Sequence, residues 1–188
     1  SGFAVAMAGT MSYWAGGNLY RTLDNGQNWN LVNGFISQSK IGYGLNAIAD
    51  PITFSLMDKK NVLNVEMLGG LALSSVTEAQ LLNGANHFAY GVNGRWEIIG
   101  AQTCALQADG SYYLYNLLRG RFGTEWAATN HALNDHLVLL NQNFIQYSLM
   151  NNGQIGMLYD YRSVESGGNI NDKVDVPFAY KGVNLECL

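Results

Sequence analysis

Short runs of alternating apolar and polar residues fill the chain, and glycine and asparagine separate these runs. Alternation of this period predicts β-strands, because successive side chains of a strand point to opposite faces of a sheet. The clearest signal is Asn93-Gly94, which predicts a tight hairpin turn between strands at 87–92 and 95–101. Other strands are predicted at 3–7, 18–23, 28–32, 41–49, 52–57, 62–68, 102–106, 111–118, 137–140, 144–150, 154–161 and 174–180.

Two further hairpins are predicted among these strands. A polar turn at 58–61 would join 52–57 to 62–68, and Asn151-Asn152-Gly153 would join the strands on either side of it. Roughly ten to thirteen strands at this spacing predict a mainly β fold, either an antiparallel sandwich or a partly open barrel. We expect residues 1–188 to form a single β-rich module.

One or two short helices interrupt the predicted strands. The first is expected near 76–82, where the run 74–78 offers capping hydroxyls and an acid for the first turn. Gly84 can end this helix in the left-handed conformation. Thr124 can cap a second helical turn that continues to Ala128.

The strand predicted at 111–118 carries large apolar side chains on both faces. Strict alternation places Tyr112, Leu114, Asn116 and Leu118 on one face, with Leu117 on the other. We therefore expect other parts of the protein to cover both faces of this strand.

The composition is typical of a packed protein that belongs to a larger assembly. The 188 residues are 48% hydrophobic and 12% aromatic but only 13% charged. Disordered chains show the opposite combination of low hydrophobicity and high net charge. The net charge is −4 and the longest basic run is Lys59-Lys60, so binding to nucleic acid or to a membrane through a basic surface is not expected.

Two cysteines, Cys104 and Cys187, are too few for a disulfide scaffold, and we expect free thiols, as in the cytoplasm of a bacterial host. No apolar run approaches the roughly 20 residues that span a bilayer. The apolar start lacks the basic segment of a signal peptide. Because the chain opens with Ser1-Gly2, we expect an excised fragment or a processed product.

The most distinctive segment is 115–127, which reads YNLLRGRFGTEWA. The motif GRWE at 94–97 precedes it, and His131, Asp135 and VLL at 138–140 follow it. This order and spacing resemble the C-terminal part of tail-tip hub proteins of long-tailed bacteriophages and gene transfer agents, the host-specificity or baseplate megatron-like proteins. In that family LLRG-x-x-GTE lies between a GWE strand and an H…G/D…VLL strand.

Weaker matches extend the resemblance over most of the chain. LLNGANHFAYG at 81–91 is similar to the family segment vLnGaN…vG, and LYRTLDNGQNW at 19–29 to vyrS-DgG-tW. The closing GVNLECL resembles g-x-n-l-x-P-L, with Cys187 in place of the usual proline. The residues that carry the central motif are Trp96, Glu97, Arg119, Gly120, Arg121, Gly123, Thr124 and Glu125.

The resemblance implies a structural component of the virion, without enzymatic activity or a cofactor. It would sit at the phage tail tip after assembly in the bacterial cytoplasm and would support contact with the host surface. Its partners would be other domains and copies of the hub, as a trimer, and other tail proteins.

Two interpretations of Arg119 and Arg121 stay open. In an extended segment, residues two apart share a face, and an arginine can bind carboxylates or carbonyl oxygens through several donors. The pair either locks a backbone crossing, with Glu97, Glu125 or Asp135 as partners, or forms an anion site for acidic sugars.

The segment TLDNGQNW at 22–29 fits the Asp-box pattern S/T-x-D-x-G-x-x-W. Asp24 and Gly26 would shape a turn, and Trp29 would pack beneath it. A single copy does not predict a propeller, because propeller blades repeat. We interpret the segment as a clip that closes a hairpin.

Aromatic residues favour a carbohydrate-binding or receptor-binding module as the alternative function. The chain has four tryptophans and eleven tyrosines, and such side chains suit sugar contacts and subunit interfaces alike. The candidates for contact with a host glycan or receptor are Tyr13, Trp14 and Tyr20, at or near the start of the chain, where the similarity to the family is weakest.

A hydrolase of envelope polysaccharide is a second alternative. Glycosidases need two acids about 5 to 10 Å apart on opposite sides of one bond, and no pair of acids stands out in the sequence. His131 and His136 lack a third ligand at zinc spacing. We therefore expect neither catalytic residues nor a metal site.

Overall fold

The computed structural model describes residues 2–10 and 13–182, so most of the closing family-like motif, including Cys187, lies outside the described residues. The strands are β1 (Gly2–Val5), β2 (Gly17–Thr22), β3 (Trp29–Phe35), β4 (Ile41–Gly44), β5 (Leu63–Met67), β6 (His87–Val92), β7 (Arg95–Leu106), β8 (Tyr112–Arg121), β9 (His136–Leu139), β10 (Gln146–Leu149), β11 (Leu158–Glu165) and β12 (Val176–Ala179). Helix α1 covers Glu78–Leu82, and 3₁₀ turns cover Leu68–Gly70, Glu125–Ala127, Asn152–Gln154 and Ile170–Asp172.

Six strands close into a barrel in the order β4-β5-β8-β7-β6-β9. Each neighbouring pair in the barrel is antiparallel. Beside the barrel lie a four-stranded sheet, β12-β11-β2-β3, and the two-stranded ribbon β1-β10. The prediction of a mainly β fold is confirmed. Of the two predicted architectures, the barrel is the one that forms, and it is closed rather than partly open.

The hydrophobic core fills the barrel. Inward-facing side chains on β5, β6, β7, β8 and β9 are fully buried, and they include Leu63, Val65, Phe88, Ile99, Leu114, Leu117 and Leu137. Each such side chain contributes roughly 1.5 to 3 kcal/mol relative to exposure in water. On β4 the inward positions are glycines: a Cβ at Gly44 would lie 2.3 Å from the hydroxyl of Tyr90. Strand β4 therefore provides the space into which larger residues of its neighbours pack.

Helix α1 confirms the predicted helix near 76–82. Thr77 forms a capping box, because its hydroxyl accepts a bond from the amide of Gln80 and the Gln80 side chain accepts one from the amide of Thr77. Leu81 is fully buried beneath the helix, next to Gly100 of β7. None of the described helices is long and apolar enough to cross a membrane.

The alternation predicted for 111–118 is wrong beyond Asn116. Asn116 has φ of +55°, a left-handed conformation that asparagine tolerates better than most residues. The inward positions of β8 are therefore Tyr112 and Leu114 before it, and Leu117 rather than Leu118 after it. The other face of the strand is not fully covered, since Tyr113 is 43% exposed.

The predicted hairpin between 52–57 and 62–68 does not form. Residues 52–57 are irregular, and β5 pairs with β4 and β8. The Asp58 carboxylate accepts bonds from the amides of Lys60 and Asn61, each at 3.0 Å, which closes a local turn in place of a hairpin loop. Asp58 also forms an isolated bridge with Leu117.

The second predicted hairpin, around Asn151-Asn152-Gly153, is also wrong. Strand β10 pairs with β1, while β11 pairs with β2 and β12. The amide of Asn151 donates to the Gln154 side chain at 3.1 Å, and the segment forms a 3₁₀ turn that redirects the chain. A turn signal in the sequence marks a change of direction but does not identify the strands that pair.

Replacing Gly91 by alanine should prevent tight pairing of β6 with β7. Gly91 has φ of +147°, and a Cβ there would lie 1.8 Å from the carbonyl oxygen of Arg95. The backbone would have to move, so we expect Gly91→Ala to lower the free energy of unfolding by more than about 3 kcal/mol. Urea denaturation measures the change.

Gly94→Ala is the matched control in the same hairpin. Gly94 has φ of +86° with nothing within 4 Å of the added Cβ, so backbone strain alone should cost about 1 to 2 kcal/mol. Equal losses in the two variants would contradict the packing argument.

Candidate functional site

Six ionisable side chains meet at the end of the barrel where β7 begins and β8 ends. Two come from β7, one from β8 and three from the segments that cover this end. We refer to them as the ionic network: Asp58, Arg95, Glu97, Arg119, His131 and Asp135.

The centre of the network is a two-pronged ion pair between Arg119 and Glu97. Arg119 Nε lies 2.8 Å from Glu97 Oε1, and Nη2 lies 2.9 Å from Oε2. Neither side chain is exposed to solvent. Because a buried charge is costly unless it is paired and hydrogen-bonded, this geometry is the condition for both charges to remain inside the barrel.

The remaining donors of Arg119 bind the segments that cover the barrel end. Nη1 donates to the carbonyl oxygen of Ala49 at 3.0 Å and lies 3.6 Å from an Asp58 carboxylate oxygen. Nη2 also donates to the carbonyl oxygen of Ala128 at 3.2 Å. One guanidinium therefore ties β7, the segment after β4 and the segment after β8 to one another.

Glu97 is held by three sets of donors. Besides Arg119, the amide of Gly120 donates to Oε1 at 2.7 Å, and His131 Nε2 lies 2.8 Å from Oε2. Burial alone would raise the pKa of Glu97, but the bonds from His131, Arg119 and Gly120 together outweigh it and lower that pKa. The carboxylate therefore stays ionised inside the barrel at neutral pH.

Asp135 binds the other side of His131. Its Oδ2 lies 2.8 Å from His131 Nδ1 and accepts bonds from Arg95 Nη2 at 2.8 Å and from the amide of Ala132 at 3.2 Å. Burial raises the pKa of Asp135, but the bonds from Arg95, His131 and Ala132 together lower it below its usual value. The ring of Tyr90 packs 4.6 Å from the His131 ring, measured between centroids.

Close packing requires a glycine at position 120, the last residue of the LLRG motif. Gly120 has φ of +58°, and a Cβ there would lie 2.9 Å from the Cα of Glu125 and 2.8 Å from Phe54 Cδ1. Any side chain would push apart the two segments that cross at this point. The sequence LLRG therefore places an inward arginine next to the one residue that allows the crossing.

The predicted cap at Thr124 is wrong, although a 3₁₀ turn does follow it. The Thr124 hydroxyl donates to the carbonyl oxygen of Arg121 at 2.7 Å and accepts a bond from the amide of Ile98 at 2.8 Å. Its oxygen is thus used to join β7 to the turn after β8 instead of capping Glu125–Ala127. Glu125 itself is exposed.

Arg119 and Arg121 have different surroundings. Arg121 is half-buried, with its guanidinium carbon 5.8 Å from the centre of the Phe122 ring. Of the three acids that the sequence offered as partners, Glu97 is the one in contact with Arg119 among the described residues. An external anion cannot reach the Arg119 guanidinium in this conformation, because the side chain is fully buried.

The Asp-box segment closes the hairpin of β2 and β3. The Thr22 hydroxyl donates to Asp24 Oδ1 at 2.8 Å and accepts a bond from the amide of Gly26 at 2.9 Å. Asp24 also accepts a bond from the amide of Asn28 at 2.8 Å. The ring of Trp29 lies beneath the turn, 3.8 Å from the position of a Cβ on Gly26.

The three candidate sugar contacts do not share one groove. Tyr13 is 75% exposed. Trp14 lines a groove of about 510 Å³ together with Gly17 and Phe35, among others, but without Tyr13 or Tyr20. Tyr20 lies on the face of the four-stranded sheet, directly across from Arg162 of β11.

Sequence reasoning missed several members of the network. Asp58 and Arg95 had no signal of their own, because their roles depend on contacts between segments far apart in the chain. His131 and Asp135 carry a weak signal: they are four residues apart within the motif. Cys104 is a buried free thiol, and burial raises its pKa to about 12.

Residues 39–138 match the family model described as Rcc01698-like, C-terminal. The chain belongs to this family. The matched segment begins just before β4 and ends within β9, so it contains almost the whole barrel and every member of the ionic network. No curated protein matches the chain. Across the described residues, no group of three or more His, Cys, Asp or Glu side chains is arranged to hold a metal ion.

Removing the guanidinium of Arg119 should destabilise the barrel strongly. Arg119→Ala leaves Glu97 as a buried charge without its main partner, so we expect a loss of about 3 kcal/mol or more in the free energy of unfolding. Arg121→Ala, outside the network, should cost about 1 kcal/mol or less. Urea unfolding of both variants tests this. An unchanged stability for Arg119→Ala together with a lost anion affinity would favour the anion-site interpretation.

Stability should also fall in acid. Because folding lowers the pKa values of Glu97 and Asp135, the unfolded chain takes up protons more readily. The stabilisation is complete above about pH 5, where unfolded carboxyl groups are ionised, and is lost as the pH falls toward the lower folded values.

Thermal melting between pH 7 and pH 3 measures this loss. Glu97→Gln should have a lower melting temperature at pH 7 and a weaker dependence on pH than the parent chain. Glu125→Gln, which changes an exposed acid, should keep the parent slope. A parent slope that survives in Glu97→Gln would show that Glu97 does not cause it.

Proposed function

We propose that this chain is a structural module of the tail-tip hub of a long-tailed phage or gene transfer agent. It packs against other hub domains and copies and against other tail proteins, and it supports the parts that contact the host. The proposal rests on the resemblance of the GRWE, LLRGRFGTE and VLL segments to hub proteins. The family name itself states neither an activity nor a partner.

One observation carries the proposal: Arg119 and Glu97, the ion pair of the central motif, face inward. Arg119 is 1% exposed, and its donors are used by Glu97, Ala49 and Ala128. A group that bound substrate or receptor would need access to solvent. A group that holds three segments together at the end of a barrel stabilises the fold.

The surface supports a role in assembly. Large apolar side chains are exposed on several elements, including Ile36 at 94%, Leu149 at 83% and Ile52 at 82%. Single exposed apolar residues also occur on monomers, but a module that packs against neighbours can bury these groups. The low share of charged residues, 13%, agrees with the same role.

The test is incorporation into tailed particles of the organism that encodes the chain. Mass spectrometry of purified particles should detect the protein. Ile36→Glu, Ile52→Glu and Leu149→Glu change exposed positions, so each should keep the melting temperature of the parent module. At least one of them should reduce the yield of complete particles about tenfold, because it places a charge in a subunit contact.

A second candidate function is glycan binding at the Trp14 groove. Trp14 lines this groove of about 510 Å³, and the neighbouring Tyr13 is 75% exposed, which fits stacking against sugar rings. Trp14→Ala separates the two candidates. Particles formed at normal yield that no longer adsorb to the host would favour glycan binding, whereas normal adsorption would argue against it. Normal yields for all three glutamate variants, or absence of the chain from particles, would overturn the structural proposal.

A further inference from the structure

Three groups at the outer edge of the ionic network cannot all be hydrogen-bonded to one another at the same time. His131 Nδ1 lies 2.8 Å from Asp135 Oδ2 and 2.8 Å from Arg95 Nη1. Arg95 Nη2 lies 2.8 Å from the same Asp135 oxygen. Nδ1 can donate to the carboxylate when it carries a proton, or accept from the guanidinium when it does not, but it cannot do both.

We propose that protonation of His131 is a switch that releases Arg95 and loosens the tip of the β6–β7 hairpin. In the neutral form, His131 Nε2–H donates to Glu97 Oε2, and Nδ1 accepts a bond from Arg95. In the protonated form, both ring nitrogens donate, one to Glu97 and one to Asp135. Arg95 then faces a second cation at its Nη1 and loses its bond to the ring, while its Nη2 still donates to Asp135.

The opposite neutral tautomer is not compatible with the contacts. A proton on Nδ1 alone would leave the Nε2 lone pair facing the Glu97 carboxylate at 2.8 Å with no donor of its own. In the Nε2–H form the Nδ1 lone pair also lies 2.8 Å from a carboxylate oxygen, that of Asp135, but it has the Arg95 guanidinium as its donor. The neutral state therefore has one favourable arrangement, in which Arg95 is bound to the ring.

The charges that face His131 come from every element packed around it. Glu97 and Arg95 lie on β7, Asp135 lies on the same segment as His131, and the Tyr90 ring of β6 covers one face. Behind Glu97, the network continues to Arg119 of β8 and to Asp58. With His131 neutral, three carboxylates face two arginines, so one added proton balances the charge, while burial and Arg95 oppose it.

The position of Arg95 confines the structural change to the tip of the β6–β7 hairpin. Arg95 follows the Asn93-Gly94 turn as the first residue of β7, and its side chain is 25% exposed. It can move into solvent without opening the barrel, whereas the Arg119–Glu97 pair stays in place. The switch is a property of the barrel itself and does not depend on the partners against which the module packs.

Nitrogen-15 NMR of the histidine rings tests the proposal on the intact chain. Ring-nitrogen shifts recorded between pH 8 and pH 5, the range in which histidine side chains change charge, give the protonation state of His131 directly. Where they show the doubly protonated form, amide protection factors at 92–95 should be about fivefold lower than in the Nε2–H form, the factor for one typical hydrogen bond. Protection in β8 should stay constant.

Two variants show which histidine causes the pH dependence of the hairpin. His131→Gln should remove the pH dependence of the hairpin, whereas His136→Gln, which changes an exposed histidine on β9, should keep it. If His131→Gln does not fold, Arg95→Gln gives the same comparison: the hairpin should lose its response while His131 still gains a proton.

Three results would overturn the switch. The His131 ring could keep one form from pH 8 to pH 5 in the folded chain. The hairpin could retain its response in His131→Gln or in Arg95→Gln. Finally, the response could disappear in His136→Gln, which would assign it to the exposed histidine.

Discussion

The barrel depends on one constraint: a guanidinium inside it must have all its partners in place. Arg119 cannot stay buried without Glu97, and Glu97 cannot stay ionised without Arg119, Gly120 and His131. The segments after β4, β8 and before β9 are therefore fixed together by the cost of leaving a charge unpaired in a medium of low dielectric. This cost makes the closure specific, because an apolar contact would tolerate small displacements that hydrogen bonds do not.

The architecture separates a tightly closed part from more open parts. The barrel has no free edge, since each of its strands has two neighbours. The sheet β12-β11-β2-β3 and the ribbon β1-β10 lie outside the segment that matches the family model and have strands at free edges. Exposed apolar side chains occur on these outer elements and on the irregular segment 52–57. The proposed contacts with neighbouring proteins would therefore use the outer elements, and the closed barrel would support them.

The ionic network has a fully buried ion pair at its centre and a partly exposed arginine at its edge. The Arg119–Glu97 pair is fully buried and joined by two hydrogen bonds. Arg95 is partly exposed, and both it and Asp135 lie 2.8 Å from the same ring nitrogen of His131. The proposed mechanical role and the proposed protonation switch therefore use different parts of one set of charges.

The sequence by itself determined the mainly β class, the β6–β7 hairpin at Asn93-Gly94, helix α1 and the Asp-box turn, because each depends on residues close together in the chain. It also identified the LLRG-x-x-GTE segment as unusual. Only the tertiary structure decided which strands pair, that Asn116 reverses the faces of β8, and that Arg119 selects Glu97 and Asp58 while Arg121 stays outside the network. Those outcomes depend on which distant segments are close enough to satisfy a buried charge, and local patterns carry no information about that distance.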